Sequence, residues 1–307
     1  MTQHLSFGTH VRRTFGIKLG VLHQGGTCYQ LKQVPMNDAE RCRPPQPRIS
    51  LVTPSFNQGK FIGQTIQSVL TQEYSNLEYI VQDNQSNDGT LEILKTVTSP
   101  NFSFHIEKDT GQADAINRGF SHCSGEIMGF LNSDDILLPG ALEYIARVFQ
   151  ENPQVDAVYG NRVLLDTQDN IVGRWVLPYH DGELLRHIDY VPQETLFWRR
   201  SLWERVGGRL NDKLAFALDW DLLLRFLDGG ARFVHVPRFL GGFRIHQEQK
   251  TISEYASKGI HEMRQLRRNH APNSLSKTLM PLRHFIFLLK HIYADRQLST
   301  FLKAASK

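Results

Sequence analysis

The sequence predicts an α/β protein with a mostly parallel sheet and helices on its faces. Two observations carry this. Between residues 48 and 131, short apolar, β-branched runs alternate with segments whose apolar residues fall at helical spacing, the pattern of right-handed βαβ units. Each run also ends in a polar loop, and in open sheets of this kind such loops gather at one rim, where ligands bind.

The elements follow in order. Residues 1–47 show weak periodicity and end in Arg43-Pro44-Pro45-Gln46-Pro47, a stiff stretch that marks a boundary. Arg48–Thr53 reads as a strand, broken by Pro54-Ser55-Phe56-Asn57-Gln58-Gly59. Phe61, Ile62, Ile66, Val69 and Leu70 lie on one helical face. Leu77–Asp83 is a second strand, then a helix over Leu91–Val97, a third strand over Phe102–Glu107, a helix over Gln112–Ser121 and a fourth strand over Ile127–Leu131. The second half is less regular. Val155–Leu165 reads as two strands about a turn at Gly160-Asn161, with Val172–Leu177 beside them. A helix over Ser201–Val206 stops at Gly207-Gly208. An amphipathic helix begins near Asp219, Ala231–Val236 is the last strand, and Phe243–Gln247 closes the body.

Composition fits a folded globular chain: 307 residues, 40% hydrophobic and 21% charged. No apolar run reaches the roughly 20 residues of a membrane span, and Met1–His10 lacks a signal-peptide core, so a cytoplasmic location is the expectation. Cys28, Cys42 and Cys123 form no CxxC pair and read as reduced bystanders. Net charge is +4, but residues 1–37 carry +4 and residues 263–307 carry +8, leaving the middle at −8. The basic ends read either as solvated surface or as flanks that face an anionic surface.

The richest stretch is Phe130-Leu131-Asn132-Ser133-Asp134-Asp135, where an apolar run ends on two adjacent carboxylates. Taken alone, Ser-Asp-Asp is an ordinary helix start. Beside a buried strand, however, paired carboxylates call for a cation, and a hard divalent metal with a phosphate-bearing substrate would supply one. Asp83, directly at a strand end, reads as functional, whereas Asp88 reads as an ordinary turn or N-cap residue.

Six pieces in order then resemble the family 2 glycosyltransferases of the GT-A fold, Rossmann-like and inverting, closest to bacterial O-antigen and capsule enzymes. They are Thr53-Pro54-Ser55-Phe56-Asn57; Asp83 with Asp88-Gly89-Thr90; Gly111–Gly119; Leu131–Asp135; Asp219-Trp220-Asp221; and Arg244-Ile245-His246. The resemblance covers about Arg48 to Thr251. It implies three regions: an extension (1–47), the GT-A domain (48–251) and a basic helical end (252–307). It also implies a nucleotide-diphosphate-sugar donor, a divalent metal (Mg²⁺ or Mn²⁺) and a glycan or lipid-linked acceptor, with no nucleic-acid partner. Residue by residue, Thr53, Pro54 and Phe56 would line the nucleoside pocket, and Asp83 would bond base or ribose. Asp114, Ser133 and Arg244 would face the donor. Asn132 stands where the family's first D-x-D carboxylate is usual, Asp134 and His246 would hold the metal, and Asp219 would be the base. One in-line displacement needs a base and a stabilised leaving group, and a carboxylate beside Phe216, Leu218 and Trp220 should have a raised pKa. A sugar-nucleotide pyrophosphorylase and a non-catalytic nucleotide-sugar-binding module are the competing readings.

Leu279, Leu282, Phe285, Ile286, Leu289, Ile292 and Tyr293 form an apolar stripe flanked by Arg283, Lys290 and Arg296. It reads either as a packed core helix or as an interfacial helix that would hold the enzyme peripherally at the inner membrane face.

Overall fold

A computed structural model describes residues 46–247, 249, 258–271 and 274–305, with the side chains of the last helix described over 278–299. The extension before Gln46, with Cys28 and Cys42, and the expected domain end at Thr251 lie outside the described residues.

Strand β1 (Ile49–Ser55) is buried at all seven positions, as expected of a central strand covered on both faces. It pairs in parallel with β2 (Leu77–Asp83) and β4 (Ile127–Phe130), and β2 pairs with β3 (Phe102–Ile106) at the sheet edge. Helices α1 (Ile62–Leu70), α2 (Thr90–Thr96) and α3 (Gln112–Ser121) form the crossovers. In α1, Ile62, Thr65, Ile66 and Val69 make the buried stripe. The chain therefore winds outward from β1 in both directions, and its loops open a crevice at the carboxyl ends on either side of that switch point.

The same sheet continues through β8 (Phe197–Arg199), β6 (Ala157–Leu165), β9 (Phe233–Arg244) and β5 (Ile136–Leu137), with β7 (Ile171–Trp175) on β6. Helices α4 (Ala141–Glu151), α5 (Gly182–Leu185), α6 (Arg200–Arg205) and α7 (Leu218–Asp228) complete the body. Two apolar layers cover the sheet, one around Leu51, Ile66, Ile145 and Phe149, the other around Phe120, Trp198, Trp220 and Phe226.

Two expectations are corrected here. Residues 157–165 form one strand, not a hairpin. Tyr159 and Asn161 face His235 and Phe239, so Gly160 alone opposes the three residues 236–238 of β9. A Cβ at Gly160 would stand 2.6 Å from the Arg238 carbonyl. Glycine therefore admits a bulge that takes up Pro237, and β9 runs on to Arg244 instead of ending at Val236. Ile136-Leu137 pairs antiparallel with Gly241-Gly242.

Helices α8 (Ile260–His270) and α9 (Ser274–Ala305) follow. The apolar stripe of α9 does not pack into a core: Leu279, Leu282, Phe285, Leu289 and Tyr293 are each at least half exposed. Another face holds the helix down. Phe287 packs 4.9 Å from the Tyr190 ring, Arg174 donates to Asp295 at 2.5 Å, and Arg283 donates to Asp181 at 2.7 Å. Cys123 is free, and burial pushes its thiol up to about 12, which fits a bystander.

Candidate active site

A cleft of about 490 Å³ opens at the switch point. One wall comes from the loops after β1, β3 and β4; the other comes from residues 189–194, the start of α7 and the end of β9. Such a volume suits a small-molecule ligand.

The loop after β4 forms the floor. Asp134 Oδ2 lies 2.9 Å from His246 Nε2, and His246 rests 4.7 Å from the Phe61 ring. Its Nδ1 is buried without a hydrogen-bond partner among the described residues, so the ring is held through the nitrogen that faces Asp134. Asp135 is the more buried carboxylate, accepting from the Arg244 amide at 3.0 Å. Burial, then the neighbouring charges of Asp134 and Glu194, holds its pKa well above the usual range. Asn132 accepts from Gln112 at 2.7 Å and donates to Gln193 at 3.2 Å, tying the two walls together. Ser133 lines the cleft, and its carbonyl accepts from Thr65 at 2.9 Å.

Other expected donor residues stand behind the lining. Pro54 and Phe56 do face the cleft. Thr53 is buried with its hydroxyl 3.0 Å from the Tyr79 hydroxyl. Asp83 is fully buried and accepts from the Ser86 amide at 2.8 Å and hydroxyl at 2.7 Å; the same hydroxyl accepts from the Asn57 amide at 2.8 Å. Asp83 thus shapes the loop that carries Phe56, because a buried carboxylate is kept where donors satisfy it. Asp114 accepts from the Thr110 amide and from Arg118, outside the cleft. Arg244 is fully buried, bonded to Asp169 and to the Asp134 carbonyl, with its guanidinium over Phe61. None of these four side chains is among the residues that line the cleft; each braces a segment that does or lies beside one. Asp88 accepts from the amides of Gly59 and Thr90, a turn role one residue before Gly89, which is the N-cap of α2.

The second wall carries ionisable groups that sequence reading mostly passed over. Arg162 lies between the Trp175 and Phe243 rings, 4.8 and 4.6 Å from their centroids, and pairs with buried Glu194 at 2.7 Å. Asp219, in the first turn of α7, accepts from the Trp220 amide, yet burial still raises its pKa. Asp189 is raised well above the usual value by burial and by the charge of Asp219, and its Oδ1 has no hydrogen-bond partner among the described residues. A lone arginine inside the apolar run of β6 was the available signal for Arg162, since a buried cation requires a counter-ion. Asp189 gave no comparable signal.

The model of the family described as "Glycosyl transferase family 2" matches residues 50–211, more than half of the chain. The chain belongs to glycosyl transferase family 2. It is similar to chondroitin synthase of Escherichia coli, 28% identical over 211 residues, covering 68% of this chain and 30% of that protein. It is also similar to the O-antigen biosynthesis protein RfbC of Myxococcus xanthus, 31% identical over 196 residues, covering 62% of this chain and 15% of that protein. The chain thus spans under a third of the length of either relative. Among solved structures, S. aureus TarS 1-349 in complex with UDP-GlcNAc superposes with a TM-score of 0.59 at 18% identity, over 72% of this chain and 65% of that one. The likeness establishes the GT-A fold. The described body is that of a family 2 glycosyltransferase, and no described helix is long and apolar enough to cross a membrane.

Proposed function

We propose that this glycosyltransferase moves a sugar, with inversion at the anomeric carbon, from a nucleotide-diphosphate sugar to a glycan or lipid-linked acceptor in cell-surface polysaccharide synthesis. The observation that carries the reading is the convergence of Asp134 and His246 at 2.9 Å in the same cleft that Asp219 lines. One carboxylate oxygen and one imidazole nitrogen, with room for phosphate oxygens, suit Mg²⁺ or Mn²⁺. Asp134 and His246 would hold the metal, which supplies charge stabilisation to the departing diphosphate. The neutral Asn132 leaves the cation with fewer protein charges, and its bonds to Gln112 and Gln193 fix the floor. Pro54 and Phe56 form the nucleoside side, Asp83 holds their loop, and Ser133 faces the diphosphate. Asp219 takes the proton of the incoming hydroxyl, a role its raised pKa suits. The E. coli and M. xanthus relatives, by their names, support surface polysaccharide as the product class.

A panel of nucleotide sugars incubated with Mn²⁺ or Mg²⁺ tests this. Metal-dependent release of the nucleoside diphosphate from one donor is expected; binding without turnover under every acceptor condition would leave only a binding module.

The exposed apolar face of α9, with Lys290 and Arg296 beside it, supports peripheral contact with an anionic inner membrane face. Sedimentation with vesicles containing anionic lipid should capture the full chain and lose the Phe285→Glu, Leu289→Glu double variant. Equal capture of both would reject the contact.

A further inference from the structure

Away from the cleft, at the open edge of the sheet, three side chains converge with no role in sugar transfer. His105 and Glu107 lie two apart at the end of edge strand β3, so they point to the same side. His122 follows the last turn of α3 and stacks on His105, with centroids 4.0 Å apart and planes 9° from parallel. A ligand atom from each of the three can be chosen so that all lie within 4.8 Å of one another. We propose that His105, Glu107 and His122 form a transition-metal site at the sheet edge, of the two-imidazole, one-carboxylate kind that takes Zn²⁺.

The chemistry of the three groups supports it. The set offers two imidazole nitrogens and one carboxylate oxygen, ligand types that bind a metal as neutral imidazole and ionised carboxylate. Glu107 also faces Arg118 at 3.3 Å, but both side chains are 40% or more exposed, and such a pair is readily displaced. At Zn–N bonds of about 2.0–2.1 Å, neighbouring ligand atoms in a tetrahedral site sit roughly 3.3 Å apart. Closing the cluster therefore requires the two rings to tilt out of their stack, a motion open chiefly to exposed His122 against half-buried His105. Two imidazoles and a carboxylate favour zinc over the hard cations suited to the cleft, and a fourth position stays open to water. A metal here would join the end of β3 to the end of α3, bracing the intervening loop whose Asp109 and Gly111 line the cleft.

The test is a zinc titration of the full chain against a chromophoric chelator, with Mg²⁺ in excess. Wild type is expected to bind one Zn²⁺ and to gain thermal stability on binding. His105→Ala and His122→Gln should each weaken that binding at least tenfold and abolish the gain in Tm, while His246→Ala leaves both unchanged. Undiminished binding in the two edge variants, loss that tracks His246→Ala instead, or no zinc binding by wild type would each overturn the proposal. Should His105→Ala fail to fold, exposed His122→Gln decides alone.

Discussion

Carboxylates that lie off the cleft, on the β1–β4 half, and carboxylates that line it treat charge in opposite ways. Off the cleft, neighbouring donors satisfy them. Burial pushes Glu78, Asp88 and Asp114 upward, but hydrogen bonds from Ser50 and Ser124, from Thr90 and Gly59, and from Thr110 and Arg118 outweigh it and leave all three lowered. In the cleft lining Asp109, Asp135, Asp189, Glu194 and Asp219 are all raised, burial being the first cause each time. The first group belongs to a finished scaffold. The second holds incompletely compensated charge, the setting that the proposed base requires.

Substitutions in the lining and behind it test this contrast. The largest effect belongs to Asp219→Asn, which should lower kcat by about 10²–10⁴-fold with donor affinity unchanged, checked by initial rates and by donor titration. In the wild type, activity should rise with pH through a midpoint above the ordinary carboxylate value, because the base works only when ionised and burial delays its ionisation. Next comes Glu194→Ala. It leaves Arg162 buried between two rings without its partner and should cost about 3–5 kcal/mol in urea unfolding. Asp83→Ala strips the Ser86 bonds that hold the Asn57 loop, costing about 1–3 kcal/mol and raising KM for the donor more than it lowers kcat. The smallest change is expected from Asp114→Asn, an exposed pairing with Arg118, at under about 1 kcal/mol with KM unmoved. A large KM effect there would return Asp114 to the donor site.

The linkage has opposite signs in the two groups. The lowered carboxylates contribute stability that is present above their unfolded pKa and lost as pH falls through their folded values. The raised ones oppose folding as pH rises through their folded values, since the folded state holds those protons longer.

Much of the first half was legible because local signals decided it. The runs ending at Ser55, Asp83 and Phe130 are buried on both faces, so their composition alone marks them as strands, and the order of motifs located Asp134, Asp219 and His246 in one cleft. The second half resisted. Gly160-Asn161 carries the letters of a turn, yet the constraint on Gly160 is the Arg238 backbone across the sheet, 78 residues away in sequence. The α9 stripe has the period of a core helix while its other face does the packing.

By itself the sequence determined the α/β alternation, the family and the three residues that meet at the floor and base of the cleft, since each is a short-range pattern or a motif in order. Only the tertiary structure decided which side chains face the cleft. Thr53, Asp83, Asp114 and Arg244 are the right residue types near the right place, but whether a polar side chain faces a cleft or braces it depends on which donors the fold brings within 3 Å. That is settled by packing between distant segments, as it is for Arg162 with Glu194 and for Asp189 beside Asp219.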